Sequence, residues 1–270
     1  MRTVTSADGT TIAFDQSGTG PVLVLVGGMF EQRAMDSETA RLAAWPLLAQ
    51  HFTVVHFDRR GRGDSTDTQP YAVEREIEDI EALIDEAGAS AFLSGISSGA
   101  ALALEAALAL GGKVRSLAMY EPPYNDDNAA RRAWTEFRKQ LAHLLDEGRR
   151  SDAVGLFMTL LGVPAEQLDE MRQYPMWPMW EAVAPTIAYD AAALGDDASV
   201  PTARAAGVRV PTLIMDGAAS YPFMHDTATT LERAIPGARR RTLEGQTHEV
   251  AAEALAPVLV EFFTTRGSHR

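Results

Sequence analysis

The sequence predicts one α/β unit: a mostly parallel, doubly wound sheet interrupted by an inserted block of helices. Continuous apolar runs that end in glycine or a turn alternate with helical periodicity. That alternation stops near residue 125 and resumes near residue 201. A chain of 270 residues with 46 % hydrophobic content is large enough for one substantial core.

"TVTSADGTTIAFDQ" alternates around Asp8-Gly9 and predicts a hairpin. "PVLVLVGG" and "FTVVHFD" are apolar throughout, as strands buried on both faces of a parallel sheet must be. "YAVEREIEDIEALIDEAG" places Val73, Ile77, Ile80 and Ile84 on one helical stripe with acids opposite. A strand over 91–94, a helix over 98–110 and a strand over 114–123 follow. "AARRAWTEFRKQLAHLLDEG" and "SDAVGLFMTLLG" then predict two helices, the second with Ser151 as N-cap. The strand–helix rhythm returns with "VPTLIMDG", a helix over 224–235, the strand "ARRRTLEG" and the helix "AAEALAPVLVEFFTT", before a disordered tail "GSHR". These limits divide the chain into a core of residues 1–124 and 201–270 and a helical cap of residues 125–200.

The net charge of −13 argues against nucleic acid and anionic membrane surfaces as partners and leaves a small molecule as the ligand. A homodimer is left open. The absence of cysteine removes disulfides, thiolate metal sites and a thiol nucleophile, and fits a cytoplasmic location. The polar N-terminus has no apolar signal core, and no apolar stretch approaches the ~20 residues that span a bilayer.

"LSGISSGAAL" holds the pattern Gly95-Ile96-Ser97-Ser98-Gly99 between a predicted strand and a predicted helix. In that context the pattern makes Ser97 a candidate nucleophile on a tight turn, with glycines letting neighbouring elements approach. The Ser98 N–H, at the helix N-terminus, points to the oxygen of an attacked carbonyl. A hydroxyl needs a base, and His248 in "LEGQTHEV" follows the last predicted strand. The other histidines have simpler readings: His51 and His56 as packing or surface residues by an early strand, His143 on the amphipathic helix, His225 at a helix start, His269 in the tail.

The order strand, G-x-S-x-G, helix, helical insertion and late G-x-x-H resembles the α/β-hydrolase fold over nearly the whole chain. "FDRRGRGDS" is similar to the family's loop after the fourth strand, and "VLVGG" stands where many members carry an oxyanion loop. The resemblance implies a second oxyanion donor from Gly28 or Met29. It also implies a triad acid. Most members carry it as G-x-x-D after the seventh strand, where this chain has "DGAASYPF" with Ser220 in its place. The alternative position, after the sixth strand, holds Glu121 in "YEPP", with Asp216 as runner-up and Asp226 behind it. "SSGA" and this glutamate resemble the zearalenone-type lactone hydrolases. "SSGAALALEAA", "YEPP" and "LEGQTH" are similar to a broad set of uncharacterised actinobacterial α/β hydrolases, in which histidine usually precedes the nucleophile. Here Ile96 stands there, which alters the pocket floor.

"YPMWPMW" has two readings, a core cluster or a lid whose Met176, Trp177 and Trp180 wall the substrate. The expected activity is hydrolysis of an ester or lactone without a cofactor. Its rivals are acyl transfer or cyclisation on the same site, and a catalytically inactive ligand-binding protein. Ser97 in the nucleophile position argues against the epoxide hydrolases and haloalkane dehalogenases of the fold, which need an aspartate there.

Overall fold

The computed structural model describes residues 1–35 and 44–265, so the expected tail, with His269, lies outside the described residues. The chain runs β1 (Arg2–Thr5), β2 (Thr11–Ser17), β3 (Val22–Val26), α1 (Ala44–Leu48), β4 (Thr53–Phe57), α2 (Val73–Ala87), β5 (Ala91–Ile96), α3 (Ser98–Leu110) and β6 (Val114–Tyr120). Next come α4 (Asn128–Asp146), α5 (Arg150–Leu160), α6 (Ala165–Met171), α7 (Trp177–Val183), α8 (Ile187–Leu194) and α9 (Thr202–Ala205). It closes with β7 (Thr212–Gly217), α10 (Pro222–Ala234), β8 (Arg239–Leu243) and α11 (Ala252–Thr264).

The eight strands form one sheet in the order β1-β2-β4-β3-β5-β6-β7-β8. β2 pairs antiparallel with β1 and β4, and every other pairing is parallel. Strand alternation sends Val24, Val26 and Leu93 to one face, packed with α2, α3 and α10, and Leu23, Val54 and Phe92 to the other, packed with α1 and α11. The sheet is therefore covered on both sides, which is why its central strands are apolar throughout. Ala100, Ala101, Ala103, Ala106 and Ala107 of α3 are all buried, and such small side chains let this helix lie close to the sheet beneath it. Among the described residues, no helix is long and apolar enough to cross a membrane.

Several local features depart from the expectations. β6 stops at Tyr120, because Pro122 and Pro123 have no N–H to donate to a ladder. α5 begins one residue before Ser151, so Ser151 caps nothing; its Oγ accepts the Trp177 indole N–H at 3.0 Å. Asp127 caps α4 by accepting the N–H groups of Ala129 and Ala130 at 2.8 and 2.9 Å. The acids of α2 do not all face solvent: Glu76 and Asp79 are buried with Ile80, Leu83 and Ile84. They pair there with the buried Arg59 and Arg60 of the loop after β4. A buried guanidinium requires such partners, because an uncompensated charge in the core costs several kcal/mol, on the order of 3–5.

Candidate active site

Ser97 lies between β5 and α3 with φ 54° and ψ −132°, a left-handed backbone that projects its side chain above the sheet. The flanking glycines are required by crowding. A Cβ at Gly95 would lie 2.5 Å from the Gly99 carbonyl oxygen, and one at Gly99 would lie 2.3 Å from that of Val26. The turn can form only if both side chains are absent.

The C-terminal ends of the parallel strands bring distant residues to Ser97. His248, in the loop between β8 and α11, places Nε2 3.2 Å from Ser97 Oγ. Its Nδ1 lies 2.7 Å from Glu121 Oε2. Glu121 follows β6, has φ 46° and is 1 % exposed. Its Oε1 accepts the Gly217 N–H at 2.8 Å, and its Oε2 also accepts the Ser220 hydroxyl at 2.9 Å. Three donors thus converge on one buried carboxylate and fix its orientation toward His248. Tyr120 fastens the histidine loop by donating its hydroxyl to the Thr247 carbonyl at 2.5 Å. Ser220, which stands at the family's usual aspartate position, is a hydrogen-bond donor to Glu121. In the sequence this position shows only a missing acid, and nothing local marks it as a donor.

The other carboxylates are engaged elsewhere. Asp216 accepts Arg240 Nε and Nη2 at 2.8 and 2.9 Å and lies 2.5 Å from His225 Nδ1. Burial works to raise its pKa, but Arg240 and His225 outweigh burial and hold it below the usual carboxylate range. Asp226 is exposed on α10. Among the described residues, no group of three or more His, Asp or Glu could hold a metal ion.

The loop after β3 abuts Ser97, since a Cβ at Gly28 would come within 3.1 Å of Ser97 Cβ. The Gly28 N–H donates to Glu31 Oε2 at 2.8 Å and is already occupied. Among the described residues, the N–H groups of Met29 and Ser98 have no hydrogen-bond partner. These two, at a loop and at the α3 N-terminus, are the free donors beside Ser97.

A cavity of about 320 Å³ opens over Ser97 and His248. Its walls come from α4 (Ala130, Ala133, Trp134), α5 (Phe157, Leu160) and the start of α10 (Phe223, Met224). Met29, Ser98, Asn125 and Asp197 also reach it. Among the described residues, no Lys or Arg lines it. Hydrogen bonds from Ser199 and Arg131 hold the Asp197 pKa at about 2, so this carboxylate is ionised and its charge is balanced by the Arg131 guanidinium.

Four residues expected at the substrate lie elsewhere. Ile96 follows strand alternation to the opposite face, where it packs with Leu25 and Trp45. Trp177 is 2 % exposed, its indole N–H shared between Ser151 Oγ and Glu181 Oε1 at 3.0 Å each. Trp180 stacks on Phe30 with ring centres 5.6 Å apart, and so supports the loop after β3 rather than the cavity. Met176 precedes α7 and is not a lining residue. The true walls carried a sequence signal: Ala130, Ala133 and Trp134, like Phe157, Leu160 and Leu161, follow i, i+3, i+4 spacing.

A model of the alpha/beta hydrolase family matches residues 22–259. Among solved structures, the chain is similar to an alpha/beta hydrolase from Sphaerobacter thermophilus DSM 20745. The identity is 52 % over 97 % of this chain and 100 % of that one, with a TM-score of 0.85. It is similar in fold to the enol-lactonase from Burkholderia xenovorans LB400, at 22 % identity, 97 % and 99 % coverage and a TM-score of 0.68. The thermophilic esterase from Thermogutta terrifontis, with malate bound, is another fold relative, at 22 % identity, 97 % coverage of each chain and a TM-score of 0.71.

Proposed function

The chain belongs to the alpha/beta hydrolase family, and on that premise we propose that it is a cofactor-independent serine hydrolase of small, neutral, apolar esters or lactones. The observation that carries this reading is the unbroken hydrogen-bond line from Ser97 Oγ through His248 to the buried Glu121, at the floor of an apolar cavity. In the proposed reaction His248 Nε2 takes the Ser97 proton as Oγ attacks the carbonyl carbon. Glu121 holds the Nδ1–H tautomer and stabilises the imidazolium that forms. The N–H groups of Met29 and Ser98 receive the oxyanion, and each such donor contributes on the order of 10²–10³ in rate. His248 gives the proton to the leaving alcohol, then takes one from a water that attacks the acyl carbon; collapse of that intermediate expels Ser97 Oγ, which regains the proton from His248 as the acid departs.

Substrate class follows from the walls. Among the described residues the lining is mostly apolar and holds no Lys or Arg, and Asp197 is already paired with Arg131, so these walls offer no cationic partner to a second carboxylate on the acyl group. An esterase and an enol-lactonase share the fold, and a lactone needs the same steps with both products retained in one molecule. The helices from α4 to α8 act in this reading as a cap that excludes water from the cavity.

The test is intact-mass analysis after treatment with an alkyl fluorophosphonate. One adduct on the parent and none on Ser97→Ala is expected. A parent that stays unlabelled and hydrolyses no aryl ester or lactone refutes the reading and favours a ligand-binding role. Hydrolysis in heavy-oxygen water labels the acid product, whereas acyl transfer or cyclisation leaves the product unlabelled.

A further inference from the structure

The Gly28 carbonyl belongs to the same peptide unit as the Met29 N–H. Because a trans peptide is planar, its C=O and N–H point in opposite directions, and fixing one aims the other. This carbonyl accepts Arg62 Nη1 at 2.6 Å and, in a longer bond, the Glu31 N–H at 3.3 Å; the short, charged bond is the one from Arg62. Arg62 is 1 % exposed and each end of its guanidinium is held. Nε donates to Thr186 Oγ1 at 3.0 Å, and Nη2 reaches Asp190 Oδ2 at 2.5 Å. Thr186 and Asp190 both belong to the inserted helical segment, Asp190 to α8. The second oxygen of Asp190 bonds Arg59, which Glu76 of α2 holds through two hydrogen bonds at 2.7 and 2.8 Å.

We infer that Arg62 is a positioning residue, which aims and polarises the Gly28–Met29 peptide so that the Met29 N–H meets the oxyanion. The inference rests on the hydrolase reading above. A cationic donor on the carbonyl draws charge away from the nitrogen end and strengthens the N–H as a donor. Thr186, Gly28 and Asp190 each bond a different nitrogen of one planar guanidinium, a spread that the three donors of an ammonium, all on a single atom, do not reproduce. The insertion therefore reaches the reacting oxygen through one side chain, even though Trp177 and Met176 do not line the cavity. A side chain that merely fastened the insertion to the core would alter stability and leave oxyanion recognition untouched.

The experiment compares the parent with Arg62→Lys and Arg62→Met. It measures kcat and KM for p-nitrophenyl butyrate, Ki for a butyl trifluoromethyl ketone whose hemiketal carries the oxyanion, and melting temperature. Expected is a fall in kcat of about 10- to 100-fold and an equal rise in the ketone Ki, with KM within about twofold. A folded Arg62 variant with parental kcat and Ki overturns the inference. If neither variant folds, Thr186→Val carries the test by removing the Nε acceptor. A matched change of about threefold or more in kcat and Ki supports the inference, and parental values overturn it. A parent that gives no fluorophosphonate adduct and no hydrolysis brings down the function reading, and this inference with it.

Discussion

Replacing Glu121 by Gln changes one oxygen to NH2 and leaves shape nearly intact, which makes it a severe test of the site. The carboxylate accepts three hydrogen bonds, from Gly217 N–H, Ser220 Oγ and His248 Nδ1. An amide offers one acceptor oxygen and one donor group. If the oxygen stays on Gly217, the NH2 faces His248 Nδ1 and drives the ring to the tautomer with hydrogen on Nε2. That nitrogen lies 3.2 Å from Ser97 Oγ and could then no longer take its proton. If the oxygen turns to His248, two N–H donors meet at Gly217 in a buried site, at a cost of about 1–3 kcal/mol. The wrong tautomer of a triad histidine lowers kcat by about 10⁴, equivalent to about 5.5 kcal/mol at about 1.36 kcal/mol per decade. Steady-state hydrolysis of p-nitrophenyl butyrate should fall by about 10³–10⁴ in kcat/KM, and fluorophosphonate labelling should slow in parallel. Asp216→Asn is the control, with activity within about threefold of the parent. The opposite ranking, Glu121→Gln near parental and Asp216→Asn inactive, would refute the assignment.

Gly99→Ala forces a methyl to 2.3 Å from Val26 O and 2.4 Å from Gly27 O, so it should cost roughly 3 kcal/mol or more; loss of folded protein or a steep drop in melting temperature by circular dichroism checks it. Trp177→Phe removes the indole N–H shared by Ser151 and Glu181 and should cost about 1–2 kcal/mol in urea unfolding; ester KM should stay within about twofold, whereas Phe157→Ala, in the cavity wall, should raise it severalfold. Asp190 supplies a pH test. Burial would raise its pKa, but Arg59 and Arg62 hold it below the ordinary carboxylate value. A depressed folded pKa means stability that is full above the unfolded pKa of about 3.9 and is lost as pH falls through the folded value. Asp190→Asn should therefore lose on the order of 3 kcal/mol at pH 7 and show a flatter decline in melting temperature on acidification; equal slopes for both proteins would contradict this.

Local pattern already carried the alternation of apolar strands with helices, the interruption near residue 125, and Ser97 on a strand–helix turn between two glycines. Those features depend on periodicity and on residues next to one another in the chain. His248 could be nominated because a loop after a late parallel strand must emerge at the same sheet edge as Ser97. What periodicity cannot convey is which distant side chains meet. Asp216 and Glu121 end neighbouring strands, and only the tertiary arrangement gives Asp216 to Arg240 and His225 while Glu121 faces His248. The same limit hid the engagement of the Gly28 N–H by Glu31, which leaves Met29 as the free donor. It also hid the buried pairing of Arg59 and Arg62 with Asp190, more than 120 residues away in the chain. Composition marks those arginines and α2 acids as surface groups, since isolated charges belong in water. Only a fold that brings opposite charges together in the core can bury them. The tryptophans of "YPMWPMW" were legible as large and apolar, but the packing of α7 against its neighbours, set by three-dimensional shape, turned them from the cavity and left its walls to α4 and α5.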